Sequence, residues 1–288
     1  MRRAIANIAA WTAFAILLLL ILMFGGGAGA AAQGVAAVSI LVMAIHAVVA
    51  LGWAEAALFA AACLTITFAL ENLGATTGFP FGRYAFLVGA GLPHVGVIPI
   101  IVGPLYFGMG YASWVIASLL LGSRVERPQT RHALVAVPLV AAFVMTQWDV
   151  VMDPSGSTLD KAWVWSDGGG YFGVPLSNVL GWLLVTWLYF QAFAGLAYRR
   201  RAKAPYAPRP PLFWAIPILL YLAAGLAHLP QLAAPDATLV DARGRAWSAS
   251  DLRETAAIVM LCTMAPTSLL ALLRLASAGR GDRSAAPG

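Results

Sequence analysis

Read by its apolar positions alone, the chain is a succession of long hydrophobic runs separated by polar breaks. A helix needs about 20 apolar residues to cross the hydrocarbon core of a bilayer. Eight runs qualify, at roughly 9–31, 33–52, 55–73, 95–121, 132–151, 176–198, 211–231 and 254–275. Gly25–Gly27, Gly29 and Gly34 blur the boundary between the first two, so the count is about eight spans, or seven. The pattern predicts an all-α fold, a polytopic transmembrane helical bundle. No internal repeat and no separate soluble domain interrupts it. Residues 1–276 read as a single integral membrane domain, 199–211 as a cytoplasmic Pro/Arg-rich linker, and 277–288 as a disordered tail.

Composition removes the alternative of a large soluble core. The chain is 61% hydrophobic and 10% charged, against about 45–50% and about 25% in a soluble domain. Residues 9–24 have the look of a signal-peptide apolar segment, but they continue into further apolar sequence and read as a retained first span. The net charge of +6 would suit a nucleic-acid partner if the basic residues formed a stripe. They cluster instead in the breaks between spans. With the N-terminus inside, 13 of the 18 Lys and Arg residues fall on the inner side and 5 outside. That asymmetry predicts a multi-pass protein of the cell inner (plasma) membrane with both termini cytoplasmic, and no nucleic-acid partner. The pattern leaves the oligomeric state open.

Two outer loops are richer than connectors need to be: 71–94, ENLGATTGFPFGRYAFLVGAGLPH, and 153–175, DPSGSTLDKAWVWSDGGGYFGVP. Long structured loops of this kind are usually functional, and both fall at one membrane face. Ionisable groups at membrane depth mark functional sites by default. Glu71 closes the third span beside Asn72, and its plain alternative is an interfacial carboxylate paired with Arg83. Asp149 and Asp153 stand four apart, hence on one helix face. Two carboxyls held close cannot both ionise cheaply, which leaves a proton donor available. Their plain alternative is a pair of solvated acids at a helix end, with Pro154 stopping the helix after Asp153. Glu55 reads as an ordinary helix N-terminal charge, and His46 and His228 as hydrogen-bonded core residues.

Cys63 and Cys262 lie in apolar runs without metal-site spacing, the four histidines are scattered, and no dinucleotide-binding glycine turn is present. We therefore expect no metal and no cofactor. Aromatic residues crowd both loops: Phe79, Phe81, Tyr84 and Phe86 in the first, and Trp148, Trp163, Trp165, Tyr171, Phe172 and Trp182 around the second. A headgroup-level belt explains rings of this kind. Rings around carboxyls also suit an apolar polyene or a carbocation, because a π face attracts positive charge.

The motifs E-N-L-G-x-x-T-G-F-P-F-G-x-Y at 71–84, W-D-V-V-M-D-P at 148–154, W-x-W at 163–165 and G-G-x-Y-F-G-V-P-x-x-N-x-x-G-W at 168–182 carry a resemblance. They resemble the carotenoid hydratase family of membrane proteins, the bisanhydrobacterioruberin hydratase and γ-carotene/lycopene hydratase type, over roughly residues 40–200. The resemblance implies addition of water to the terminal isopropylidene double bond of an acyclic carotenoid, giving a tertiary alcohol. It carries over no catalytic residue, so roles rest on chemistry. Asp149, deeper in its span, is the first choice for the proton donor, with Asp153 and Glu71 completing a catalytic trio. Asn72, Arg83 and Asn178 are expected as polar support, and Tyr84, Trp148, Trp163, Trp165 and Tyr171 as walls. The expected partners are a lipophilic carotenoid and the lipid bilayer. Three rivals stand beside this reading: a prenyltransferase or lycopene elongase using D-x-x-x-D for Mg²⁺–diphosphate, a carotenoid cyclase sharing the acid-made cation, and a carotenoid-binding or transport protein.

Overall fold

The computed structural model describes residues 2–27, 29–89, 91–200 and 209–284. Eight long helical rods form the bundle: α1 (Arg2–Phe24), α2 (Ala30–Leu51), α3 (Trp53–Thr77), α4 (Val102–Leu120), α5 (Arg131–Pro154), α6 (Leu176–Arg200), α7 (Pro211–Leu226), and a last rod broken into α8 (Ala249–Cys262) and α9 (Met264–Ser284). The break at Thr263 follows from Pro266, which cannot donate to Cys262 and crowds its carbonyl. Where the tail was expected, α9 continues to Ser284, and 285–288 lie outside the described residues. Of the expected linker, Arg199 and Arg200 belong to α6 and Pro211 opens α7, while 201–208 lie outside the description.

Seven of the rods are long and apolar enough to cross a membrane. The remaining one, α4, has 19 residues and is the bundle's centre, with 13 of them buried. It is long enough, at about 28 Å, but it faces protein rather than lipid and so tolerates Tyr106, Tyr111, Ser113 and Ser118. Around it, Phe59 of α3, Trp114 of α4 and Phe193 of α6 interlock edge to face, each contact to Phe193 having ring centroids 5.0 Å apart. His46 is a core residue, hydrogen-bonded to the Tyr111 hydroxyl at 2.8 Å and the Phe213 carbonyl at 2.9 Å.

Three connections gather at one end of the bundle. Strand β1 (Tyr84–Phe86) pairs antiparallel with β4 (Trp163–Trp165), matching Tyr84 to Trp165 and Phe86 to Trp163, so the two rich loops are one sheet. Strands β2 (His94–Val95) and β3 (Ile98–Pro99) form a small hairpin, and β5 (Thr238–Val240) with β6 (Ala246–Ser248) another. The fourth run therefore starts its helix at Val102 rather than near residue 95, because Gly96, at φ +65°, turns the chain back on itself there.

The helical rod does not stop at Pro154, the last residue of α5. The helix passes through it and opens into a π-helical turn, Ser155–Leu159, with Asp160 N–H reaching the Ser155 carbonyl at 2.8 Å. A proline without an N–H breaks the regular ladder, and a wider turn absorbs the missing bond. Asp153 consequently lies under the folded loops rather than near water.

Candidate active site

Three turns of two helices supply the acids. Asp149 and Asp153 project from successive turns of α5, both only 1% exposed, and Glu71 from the end of α3 is 4% exposed. All three line one cavity of about 80 Å³. Its walls are Phe81, Tyr84, Phe86, Trp163 and Trp165 from the loops, and Val102, Leu105, Tyr106, Trp148, Met152, Asn178 and Trp182 from the helices. No Lys or Arg lines it.

The hydrogen bonds divide the carboxyls. One amide nitrogen, Nδ2 of Asn178 on α6, donates to Asp149 Oδ2 at 3.1 Å and to Asp153 Oδ2 at 2.6 Å. Asp153 also accepts the Trp163 indole N–H at 2.6 Å and that of Trp165 at 3.4 Å, both on Oδ1. An indole N–H only donates, so Asp153 is surrounded by donors, whereas Asp149 has the single amide. Glu71 accepts the Tyr106 hydroxyl on Oε1 at 2.5 Å and the Tyr84 hydroxyl on Oε2. Burial, and then Glu71, push the Tyr84 hydroxyl above the ordinary tyrosine range, so it stays a donor. Asn178 Oδ1 is buried without a hydrogen-bond partner. Such an orphaned acceptor is costly in a native fold and calls for an explanation.

Local sequence explains how rings reach this depth. A Cβ on Gly156 would lie 2.3 Å from the Trp163 ring, so only glycine in the π turn lets that indole close over Asp153. The Phe81 ring is held between two glycines, since a Cβ on Gly74 would meet it at 2.7 Å and one on Gly181 at 2.6 Å. The spacing of small residues in E-N-L-G and N-x-x-G-W thus serves one aromatic wall. Trp182 stacks on Tyr106 with centroids 4.3 Å apart and planes 4° from parallel, and Trp148 meets Trp182 edge-on at 5.9 Å.

Two of the expected supports and one expected wall residue stand elsewhere. Arg83 is exposed and does not line the cavity; Glu71 is held by two tyrosines, not by a cation. Asn72 anchors the β2–β3 hairpin, donating to the Val95 carbonyl at 2.9 Å and accepting the Val97 N–H at 2.8 Å. Tyr171 straps α5 by donating to the Val150 carbonyl at 3.0 Å. Burial, and after it Asp153 and Asp149, push its hydroxyl up to about 12. Tyr106 was missed in the sequence: it sits inside an apolar run, and its hydroxyl at membrane depth was the available signal.

Two further cavities adjoin the site. A polar one of about 240 Å³ lies across Trp165, between the π turn, β4 and the β5–β6 hairpin, with Ser157, Thr158, Lys161 and Asp241 in its lining. At Asp241 burial alone would raise the carboxyl, but the Trp247 indole and the Arg245 and Arg243 amides outweigh it and hold it below the ordinary range. The other cavity, of about 310 Å³, shares Leu105, Trp148, Met152 and Trp163 with the carboxyl cavity.

Fold and site together define a multi-pass helical membrane protein with a carboxyl-bearing aromatic cavity under its loops. The sequence profile of the family described as "Carotenoid biosynthesis protein" matches residues 31–238, and the chain belongs to that family. It is similar to the bisanhydrobacterioruberin hydratase of Haloarcula japonica, with 29% identity over 120 residues, 41% of this chain and 38% of that protein. The match thus spans about two fifths of the relative's length. No solved structure matches.

Proposed function

We propose that the protein is a carotenoid hydratase, adding water to the terminal isopropylidene double bond of an acyclic carotenoid without a metal or redox cofactor. The observation that carries this reading is the Asp149–Asn178–Asp153 bridge inside a cavity of aromatic faces whose lining holds no Lys or Arg. Three carboxylates in such a place would be unpaired buried charges, each costing several kcal/mol, so the site holds protons. The donor count supports one arrangement of them. Asp153, ringed by N–H groups, is the carboxylate, and Asp149 keeps its proton.

In this mechanism the Asp149 O–H bond breaks and its proton joins the less substituted alkene carbon. The π pair forms that C–H bond and leaves a tertiary cation, which the faces of Trp148, Trp163 and Trp182 stabilise. Water adds its lone pair to the cation, and the oxonium proton returns to the carboxyl pair, restoring the starting state. Atoms balance as alkene plus water to tertiary alcohol. The orphaned Asn178 Oδ1 would accept a water O–H, and water would enter from the polar cavity across Trp165. Glu71, fixed by two tyrosines, orients the incoming water. The basic-residue asymmetry supports a plasma-membrane protein with both termini cytoplasmic and this site at the outer face.

The test is co-expression in a lycopene-accumulating host followed by mass analysis of the pigments. A gain of one water per reacted end is expected. Unchanged mass with altered retention indicates cyclisation, a prenyl-sized gain indicates elongation, and either result overturns the reading.

A further inference from the structure

We infer that the 310 Å³ cavity beside the carboxyl site is the berth of the substrate's polyene arm, a proposal that rests on the hydratase reading for the identity of the ligand. Size raises the question. Small-ligand sites occupy about 300–1,000 Å³, and the carboxyl cavity, at about 80 Å³, admits no more than the end group of a long chain. The rest of a rod-like substrate must leave through a wall. The second cavity lies behind that wall, since Leu105, Trp148, Met152 and Trp163 face both spaces.

Its course fits an extended apolar chain. It runs between α1, α2, α4, α5 and α7, lined by such side chains as Ile40, Met43, Met109 and Leu220. Polar groups, Asp160 and His228 among them, sit toward the loop-covered end. Gly108 adds no side chain to the lining on the α4 side, where a Cβ would already stand 3.3 Å from Ile40 Cγ1. Ala36 and Ala224 contribute little bulk from α2 and α7. The wall shared with the acid site favours the substrate's own chain over a lipid acyl chain, because a lipid there would block the exit from the carboxyl cavity. Trp148 and Trp163 then have two duties, one face toward the reacting end and the other toward the polyene.

The experiment reads binding separately from chemistry. Protein purified in detergent is titrated with lycopene, and the induced circular dichroism of the polyene bands measures the bound fraction. Ala36→Trp and Ala224→Phe are expected to weaken binding at least tenfold, whereas Ala36→Ser and Ala224→Ser bind like the wild type. Thermal unfolding checks each variant, and where one bulky variant fails to fold the other decides. Wild-type affinity in a folded bulky variant overturns the berth, as does a wild-type protein that gives no induced signal. A protein that binds lycopene through this cavity yet adds no water overturns the hydratase reading and leaves the berth standing.

Discussion

Replacing Asp149 by Asn separates acid chemistry from architecture more cleanly than any other change at the site. The two side chains have nearly the same volume, and the Asn178 N–H that reaches position 149 at 3.1 Å finds an amide oxygen in place of a carboxyl oxygen. Asp153 keeps its own three donors, two indoles and the amide. The structural cost is therefore bounded by one hydrogen bond, about 0.5–1.5 kcal/mol. The catalytic loss is larger. General acid catalysis contributes about 10²–10⁴-fold, which at 1.36 kcal/mol per tenfold corresponds to about 2.7–5.4 kcal/mol of transition-state stabilisation. Yield of hydrated carotenoid at matched membrane-protein level should fall by at least a hundredfold, while the unfolding midpoint in detergent shifts by a few degrees at most. Wild-type yield from Asp149→Asn together with an inactive Glu71→Gln would refute the assignment and pass the acid's role to Glu71.

Tyr106→Phe removes the hydroxyl on Glu71 Oε1 but keeps the ring stacked on Trp182. A buried acceptor losing a partner costs about 1–3 kcal/mol, to be read as a lowered unfolding midpoint; an unchanged midpoint would show that this bond does not hold Glu71. Gly181→Ala places a Cβ 2.6 Å from the Phe81 ring and 3.1 Å from its Cα, so ring rotation alone cannot relieve it. Overpacking of this kind costs about 1–3 kcal/mol, and a variant as stable as the wild type would mean that Phe81 does not seal the cavity between α3 and α6.

The bundle was legible because bilayer thickness imposes its own length on the sequence, and each long apolar run became a rod. The boundaries failed where two structures share one signal. Residues 95–101 are apolar enough to extend a span, yet they hold a hairpin, and a short apolar run carries no mark distinguishing the two. Pro154 reads as a stop because its local effect on an α-helix is to end it, and nothing local announces a π turn. The acids were legible because charge is scarce at membrane depth. Their depth was not: Asp153 looked close to water, but the β1–β4 sheet that covers it is built from three-residue strands whose alternation is too short to read. Arg83 and Asn72 sit in the same motif as Glu71, and sequence adjacency carried them into the expected site although the turn at Gly78–Gly82 points Arg83 outward.

The same geometry explains why a water-adding site would sit beneath the loops and not at the middle of the bundle. In the hydrocarbon core an irregular backbone leaves polar groups unsatisfied, so helices alone cannot bring indole N–H donors to Asp153 from the side. Loops at the bilayer edge can, and the β1–β4 pairing delivers Trp163 and Trp165 from one strand. On the proposed hydratase reading the substrate's demands would be opposite at its two ends: the polyene would belong in apolar volume, while the reacting carbon would have to meet an acid and then a water. A cavity between helices on one side and a polar cavity on the other meet both demands only if the acids lie between them. Leu105, Trp148, Met152 and Trp163 form the wall toward the apolar space, and Trp165 the wall toward the polar one. Asp153 ties the two walls together, since both indoles donate to the same oxygen. A shift of either ring therefore moves Asp153, one helical turn from Asp149, so in the proposed mechanism access of chain and water would become a condition on the geometry of the acids themselves.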